Sequence, residues 1–150
     1  MNLNELLTKQ NVITKLMLKD DDKELSKGLK VKIMRIRLAY NKVKKAFDDD
    51  VKEFVDQVTT DEYKKLAGMQ ERNEEQTNRY NELSENINSE YVEFITQKGL
   101  EEVKETIDDA FTEEEFEEIL DVNSGNNVNI NGNDIKAADL IEAFYEIFVK

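Results

Sequence analysis

The sequence predicts a mainly α fold: a long antiparallel helical hairpin, coiled-coil-like, closed by a small C-terminal helical subdomain that contains a short β-hairpin. Three observations predict it. Apolar residues recur at alternating spacings of four and three, from Leu29 through Ile33, Ile36, Tyr40, Val43, Phe47, Val51 and Phe54 to Val58, which keeps one narrow stripe facing the same way along a continuous helix. A weaker stripe follows in Tyr63, Leu66, Met69, Tyr80, Leu83, Ile87, Tyr91 and Phe94. The chain has no proline, five glycines and 37% charged residues, the composition of solvated helices.

Taken in order, the first segment runs from Asn4 to about Lys19, and Leu3, Leu6, Leu7, Ile13, Leu16 and Met17 give it an apolar face that must land on something. The acids of Asp20–Glu24 interrupt it and suit the start of the next helix, where the macrodipole favours negative charge. That helix extends from about Lys23 to Val58 with Gly28 as its weak point. Thr59 with Glu62 has the form of a capping box, so a turn is expected near Thr59 and a return arm over Asp61–Gln97. Pairing the arms about that turn sets Phe47 near residue 72 and Ile36 near residue 83, with polar Asn73 and Gln76 on the seam, fixing register or leaving it locally wet.

Gly99 is expected to stop the return arm. Leu100–Phe111 fits either a short helix or an extended link. Thr112 with Glu115 opens another helix, through about Leu120, with Phe116, Ile119 and Leu120 inward. Val128 and Ile130 then alternate with asparagines into Asn131-Gly132, the preferred pair for a type I′ turn, with Ile135 on the return strand. From Ala137 a densely apolar helix carries Leu140, Ile141, Phe144, Tyr145, Ile147 and Phe148. The expected organisation is residues 1–22 as a docking helix, 23–97 as the long hairpin and 98–150 as a small acidic subdomain packed on the hairpin base in one domain.

Composition narrows the chemistry. With no cysteine and no histidine, disulfides, thiolate nucleophiles, ordinary zinc sites and the side chain best suited to proton transfer near neutral pH are all missing. Paired carboxylates would still serve a hydrolase, but they need a concave pocket, and no spacing here predicts one; neither enzymatic activity nor a cofactor is expected. No run of about 18 apolar residues is present to span a bilayer, and the N-terminus lacks the features of a signal peptide.

The net charge of −13 hides a division. Residues 1–47 carry 12 Lys+Arg against 5 Asp+Glu, a net of +7, and the remainder carries 9 against 29, a net of −20. Each half can therefore meet a different partner.

Four candidate sites follow. Asn127, Asn129, Asn131 and Gly132 imitate the start of a calcium loop, but the twelfth position is Ala138, where a bidentate Glu belongs, so a plain turn is expected. The basic helix, with Lys30, Arg37 and Lys44 among its nine cations between Lys23 and Phe47, has the charge to neutralise phosphates. Matching it internally against Glu71, Glu74, Glu75, Glu82, Glu85 and Glu90 of the return arm is the favoured expectation. The ten acids of Glu101–Glu118 are read as a solvated face, with mimicry of DNA as the rival. The apolar face of the first helix, Leu3, Leu6, Leu7, Ile13, Leu16 and Met17, is the expected protein-docking face, with Lys30, Arg37 and Lys44 as a second.

The segment from Asn11 to Asp50, the hairpin after it, and the closing Asn127–Val149 together resemble small helical structural or assembly proteins of tailed bacteriophages, including the crAss-like phages. The resemblance implies a virion or assembly protein packed in several copies around a portal, neck, tail or capsid component; a homo-oligomer or multiple copies in an assembly are the expected arrangements. The resemblance also implies phage structural proteins as partners and a place in the virion or the host cytoplasm. It carries over no functional residues. The alternative function is a nucleic-acid-associated regulator, acting through the basic helix or as an acidic mimic.

Overall fold

The computed structural model describes residues 1–125, 128–130, 133–135 and 137–150. Among them are six helices, α1 (Leu3–Ile13), α2 (Lys27–Val58), α3 (Asp61–Ala67), α4 (Glu74–Leu100), α5 (Glu113–Asn123) and α6 (Ala137–Phe148). Between α5 and α6, β1 (Val128–Ile130) and β2 (Asn133–Ile135) pair antiparallel with Val128 opposite Ile135. Asn131-Gly132, the expected turn, lies outside the described residues.

One core organises the two ends of the chain. Leu6, Ile13, Leu16, Leu25, Leu29, Ile33, Ile36 and Tyr40 meet Phe111, Ile119, Val122, Leu140, Ile141, Phe144 and Phe148, and residues 47–98 contribute nothing to this cluster. Phe111 packs edge-on against Phe144 and Phe148, with centroids 5.0 and 5.9 Å apart, the arrangement that aromatic quadrupoles favour. This cluster and the residues packed on it, the body of the fold, fall between 1 and 43 and between 103 and 149, and residues 47–98 form an arm.

Helix α1 starts at an Asn2–Glu5 capping box and stops at Ile13, well short of Lys19. A helix end leaves carbonyls without partners, and here the Arg37 guanidinium takes those of Ile13 and Leu16. The chain after it is pinned by Asn123, buried at the end of α5. Its amide accepts from Met17 N at 2.8 Å and donates to Met17 O at 3.1 Å and Ile119 O at 2.9 Å. Leu100–Phe111 resolves as the extended alternative: its ends bridge Asn2 with Glu102 and Phe111 with Val149, so one link ties down both termini. Helix α5 begins at the Thr112–Glu115 box as expected, but it turns Leu120 outward, 37% exposed.

The arm corrects the expected hairpin. Thr60, one residue later than expected, caps α3 by accepting from Tyr63 N, yet the chain does not reverse there. Phe54 stacks on Phe94 at 4.2 Å and Tyr63 on Tyr80 at 5.4 Å, so α2 and α3 both run antiparallel to α4, and the reversal falls in residues 68–73. Arg72 closes that turn by lying over the Tyr80 ring and donating to Leu66 O. Asn73 and Gln76 are not seam residues; they form the capping box that starts α4. The register moves accordingly: Phe47 lies by Glu101 instead of residue 72, and Ile36 belongs to the core. Gly99 lies one residue before the end of α4 at Leu100, next to the expected stop. It sits inside α4 where a Cβ would collide with the Asn4 side chain, which lets α1 approach closely.

Two packed helices leave their seam half-open. Val51, Phe54, Val58, Tyr63, Tyr80, Leu83, Ile87 and Phe94 are all partly exposed, and Leu66 alone of the seam is buried.

Replacing Asn123 with alanine removes three hydrogen bonds and leaves the half-buried Met17 N–H without its partner, so we expect a loss of about 2 kcal/mol, read as a lower urea midpoint at unchanged slope. Ser124→Ala, one residue on and exposed, is the control.

Candidate docking surface

The rotation of α2 in the body decides what it shows to solvent. Leu29, Ile33, Ile36 and Tyr40 are all at most 4% exposed and lie on one side of a 3.6-residue helix. Tyr40 is the deepest anchor. Its hydroxyl donates to Asp109, and Lys9 Nζ reaches the same carboxylate oxygen at 2.8 Å, so α1, α2 and the 101–112 link meet at one point. Burial first, and then the Asp109 carboxylate, push the Tyr40 phenol well above the ordinary tyrosine range.

Opposite that stripe, the same periodicity places Lys27, Val31, Met34, Leu38 and Lys45 in line on the outer face. Val31, Met34 and Leu38 are 38, 52 and 67% exposed. Over the eight residues from Val31 to Leu38 they form an apolar strip about 10 Å long. Among the described residues Lys27, Arg35, Lys42 and Lys45 have no ion-pair partner, whereas Lys30 pairs with Glu24, Lys32 with Glu115 and Lys44 with Asp48. An aliphatic strip flanked by uncompensated cations is a surface for a partner helix that is apolar on one side and acidic at its edges. Beside it, a groove of about 520 Å³ opens between α2 and the link, lined by Val31, Arg35, Ala39, Thr106, Ile107 and Asp108 among others.

The predicted site residues fare differently. Leu3, Leu6, Ile13 and Leu16 are buried, and Leu7 and Met17 pack against the core. The face expected to dock on a partner has docked on its own chain. Arg37 is also spent internally: it makes two hydrogen bonds to the Ile13 carbonyl at the end of α1, the negative pole of that helix, and one to Leu16 O just beyond it, and burial holds its guanidinium below its ordinary value. Lys30 and Lys44 are neutralised by neighbours. None of the six glutamates expected opposite the basic helix pairs with it among the described residues; the α2–α4 ion pair has the reverse polarity, Asp50 with Lys98 at 3.5 Å. The later turn is the reason, since it carries the basic half of α2 past the arm and into the body.

The acidic run is partly consumed as well. Asp109, Glu113, Glu115 and Glu118 bind Lys9, the Tyr145 hydroxyl, Lys32 and Ser26. Burial raises the Glu115 carboxyl, but Lys32 and the Thr112 cap outweigh it and leave it below the usual range. No group of three metal-ligating side chains occurs among the described residues, and the calcium-like positions Asn127, Asn131 and Gly132 lie outside them. Val31, Met34 and Leu38, at spacings of three and four, are a second helical stripe in the sequence, masked there by the stronger periodicity of the seam.

No family model, curated protein or solved structure matches the chain. No helix among the described residues is long and apolar enough to cross a membrane.

The Tyr40 anchor is testable by pH. A phenol whose folded pKa is raised contributes fully below the unfolded value of about 10 and loses that contribution as pH climbs above it. Stability should therefore begin to fall near about pH 10 and go on falling as pH rises toward the raised folded value, and Tyr40→Phe should flatten that slope, measured by urea titration on either side of the unfolded value.

Proposed function

We propose that the protein is a non-enzymatic structural or assembly component that docks on other proteins through helical surfaces. The observation that carries this reading is the outer face of α2, where three large aliphatic side chains stand exposed in a row on a rigid helix whose other side is fully committed to the core. A rigid, pre-ordered face lowers the entropy lost on binding, and burial of its aliphatic centre supplies most of the affinity, with the cations steering approach and setting register. The half-open seam of the arm offers a second surface of the same kind. For the setting, we propose a bacteriophage virion, near a portal, neck, tail or capsid component; the sequence resemblance is its support. Nucleic acid is the weaker partner, because phosphate contacts have no use for an aliphatic strip at their centre and the chain as a whole is strongly anionic.

Affinity capture from the native source tests this, with lysine crosslinking to locate the contacts. Crosslinks are expected at Lys27, Lys42 and Lys45, and the double variant Met34→Glu with Leu38→Glu should abolish capture while changing stability by less than about 0.5 kcal/mol. Capture that survives this variant, or nucleic acid recovered in place of protein, would refute the proposal.

A further inference from the structure

The arm carries a face that complements the outer face of α2. Tyr80, Ile87 and Phe94 turn one side of α4 toward α2 and α3, and the opposite side lines up Glu85, Val92, Thr96 and Leu100. Val92 and Leu100 are 53 and 64% exposed. The Thr96 hydroxyl donates to Val92 O at 2.8 Å, so its polar group is satisfied within the helix and its methyl is free to pack. This strip spans nine residues, Val92–Leu100, against eight for Val31–Leu38, so the two aliphatic strips match in length to about one residue.

We propose that the outer face of α2 takes the outer face of α4 from a second copy of this chain, antiparallel. One register satisfies every position: Leu100 of the second copy against Val31, Thr96 against Met34, Val92 against Leu38, and Glu85 against Lys45. Glu93 then flanks Arg35 and Lys42. Apolar residues meet apolar ones over two turns, and three of the four uncompensated cations, Arg35, Lys42 and Lys45, meet acids. A second copy is the occupant because the chain itself supplies the matching length, spacing and charge. The proposal rests on the docking reading above and gives it a partner.

Geometry fixes the kind of assembly. The strips face opposite ways, since α4 lies on the core side of α2 and turns its outer face farther away. The contact is therefore heterologous: each copy uses one strip on each neighbour, and copies add head to tail into a ring or an open filament.

Sedimentation velocity of the full chain over a concentration series tests this. A ladder of species beyond the dimer is expected. Lys45→Glu and Glu85→Lys should each weaken association roughly tenfold, the fold-change of about 1.4 kcal/mol, and the double variant should restore it by re-forming the pair reversed. Both residues are exposed, and circular dichroism verifies that each variant is folded. A chain that stays monomeric throughout, a closed dimer, or a double variant that fails to recover overturns the proposal. If the chain is monomeric while Met34→Glu with Leu38→Glu still abolishes partner capture, self-pairing falls and the docking reading stands. A labelled single-stranded oligodeoxynucleotide whose binding is lost in Lys45→Glu and not restored by Glu85→Lys overturns self-pairing in favour of a phosphate polymer.

Discussion

The burial of Leu29, Ile33, Ile36 and Tyr40 against both ends of the chain is the constraint on which the rest depends. It fixes the rotation of a 32-residue helix about its axis. Because a helix is rigid over that length, fixing one end also aims the other, and the arm leaves the body in a direction set by the core. The same rotation determines which residues are left outside. Fully burying each such side chain contributes about 1.5–3 kcal/mol, so four together outweigh any preference of the exposed strip, and Val31, Met34 and Leu38 are held in solvent by their neighbours' burial.

The helical class, α2 and its seam, and the cap at Thr112 were legible because each rests on local chemistry: periodicity, capping and composition. What failed was long-range. A helix does start beside the expected cap, at Thr60 and not Thr59, but a cap says nothing of the direction in which the next helix runs. The reversal came a helix later, where Asn73 and Gln76 carried a capping signal that a seam reading had already claimed. Moving the turn moved the register, and with it the electrostatic pairing of the basic helix. The apolar face of α1 was also visible, but an apolar face in a sequence does not say whether its partner lies in the same chain. Here Phe111, Phe144 and Phe148, more than 90 residues away, complete that core. The candidate surface was legible only as a second stripe within a helix whose first stripe explained more.

Charge in this protein works in two ways. Where carboxylates and cations meet at the body, at Lys9–Asp109 and Lys32–Glu115, they are partly shielded and hold specific elements in register. The outward cations contribute little to folding, since exposed pairs are worth at most about 1 kcal/mol, and their uncompensated state leaves them available to a partner. The aliphatic strip between them supplies the apolar contact that charge alone lacks.

The chain has no native cysteine, so a single introduced thiol reports on one position without background. Native-state thiol labelling of Leu38→Cys and Leu6→Cys tests most directly whether the outer face of α2, and not the apolar face of α1, is the surface presented to partners. The account predicts rapid labelling at position 38 in the isolated chain, lost on assembly, and labelling at position 6 only as fast as the chain unfolds. Rapid native labelling at position 6, or protection at position 38 in the monomer, would contradict it.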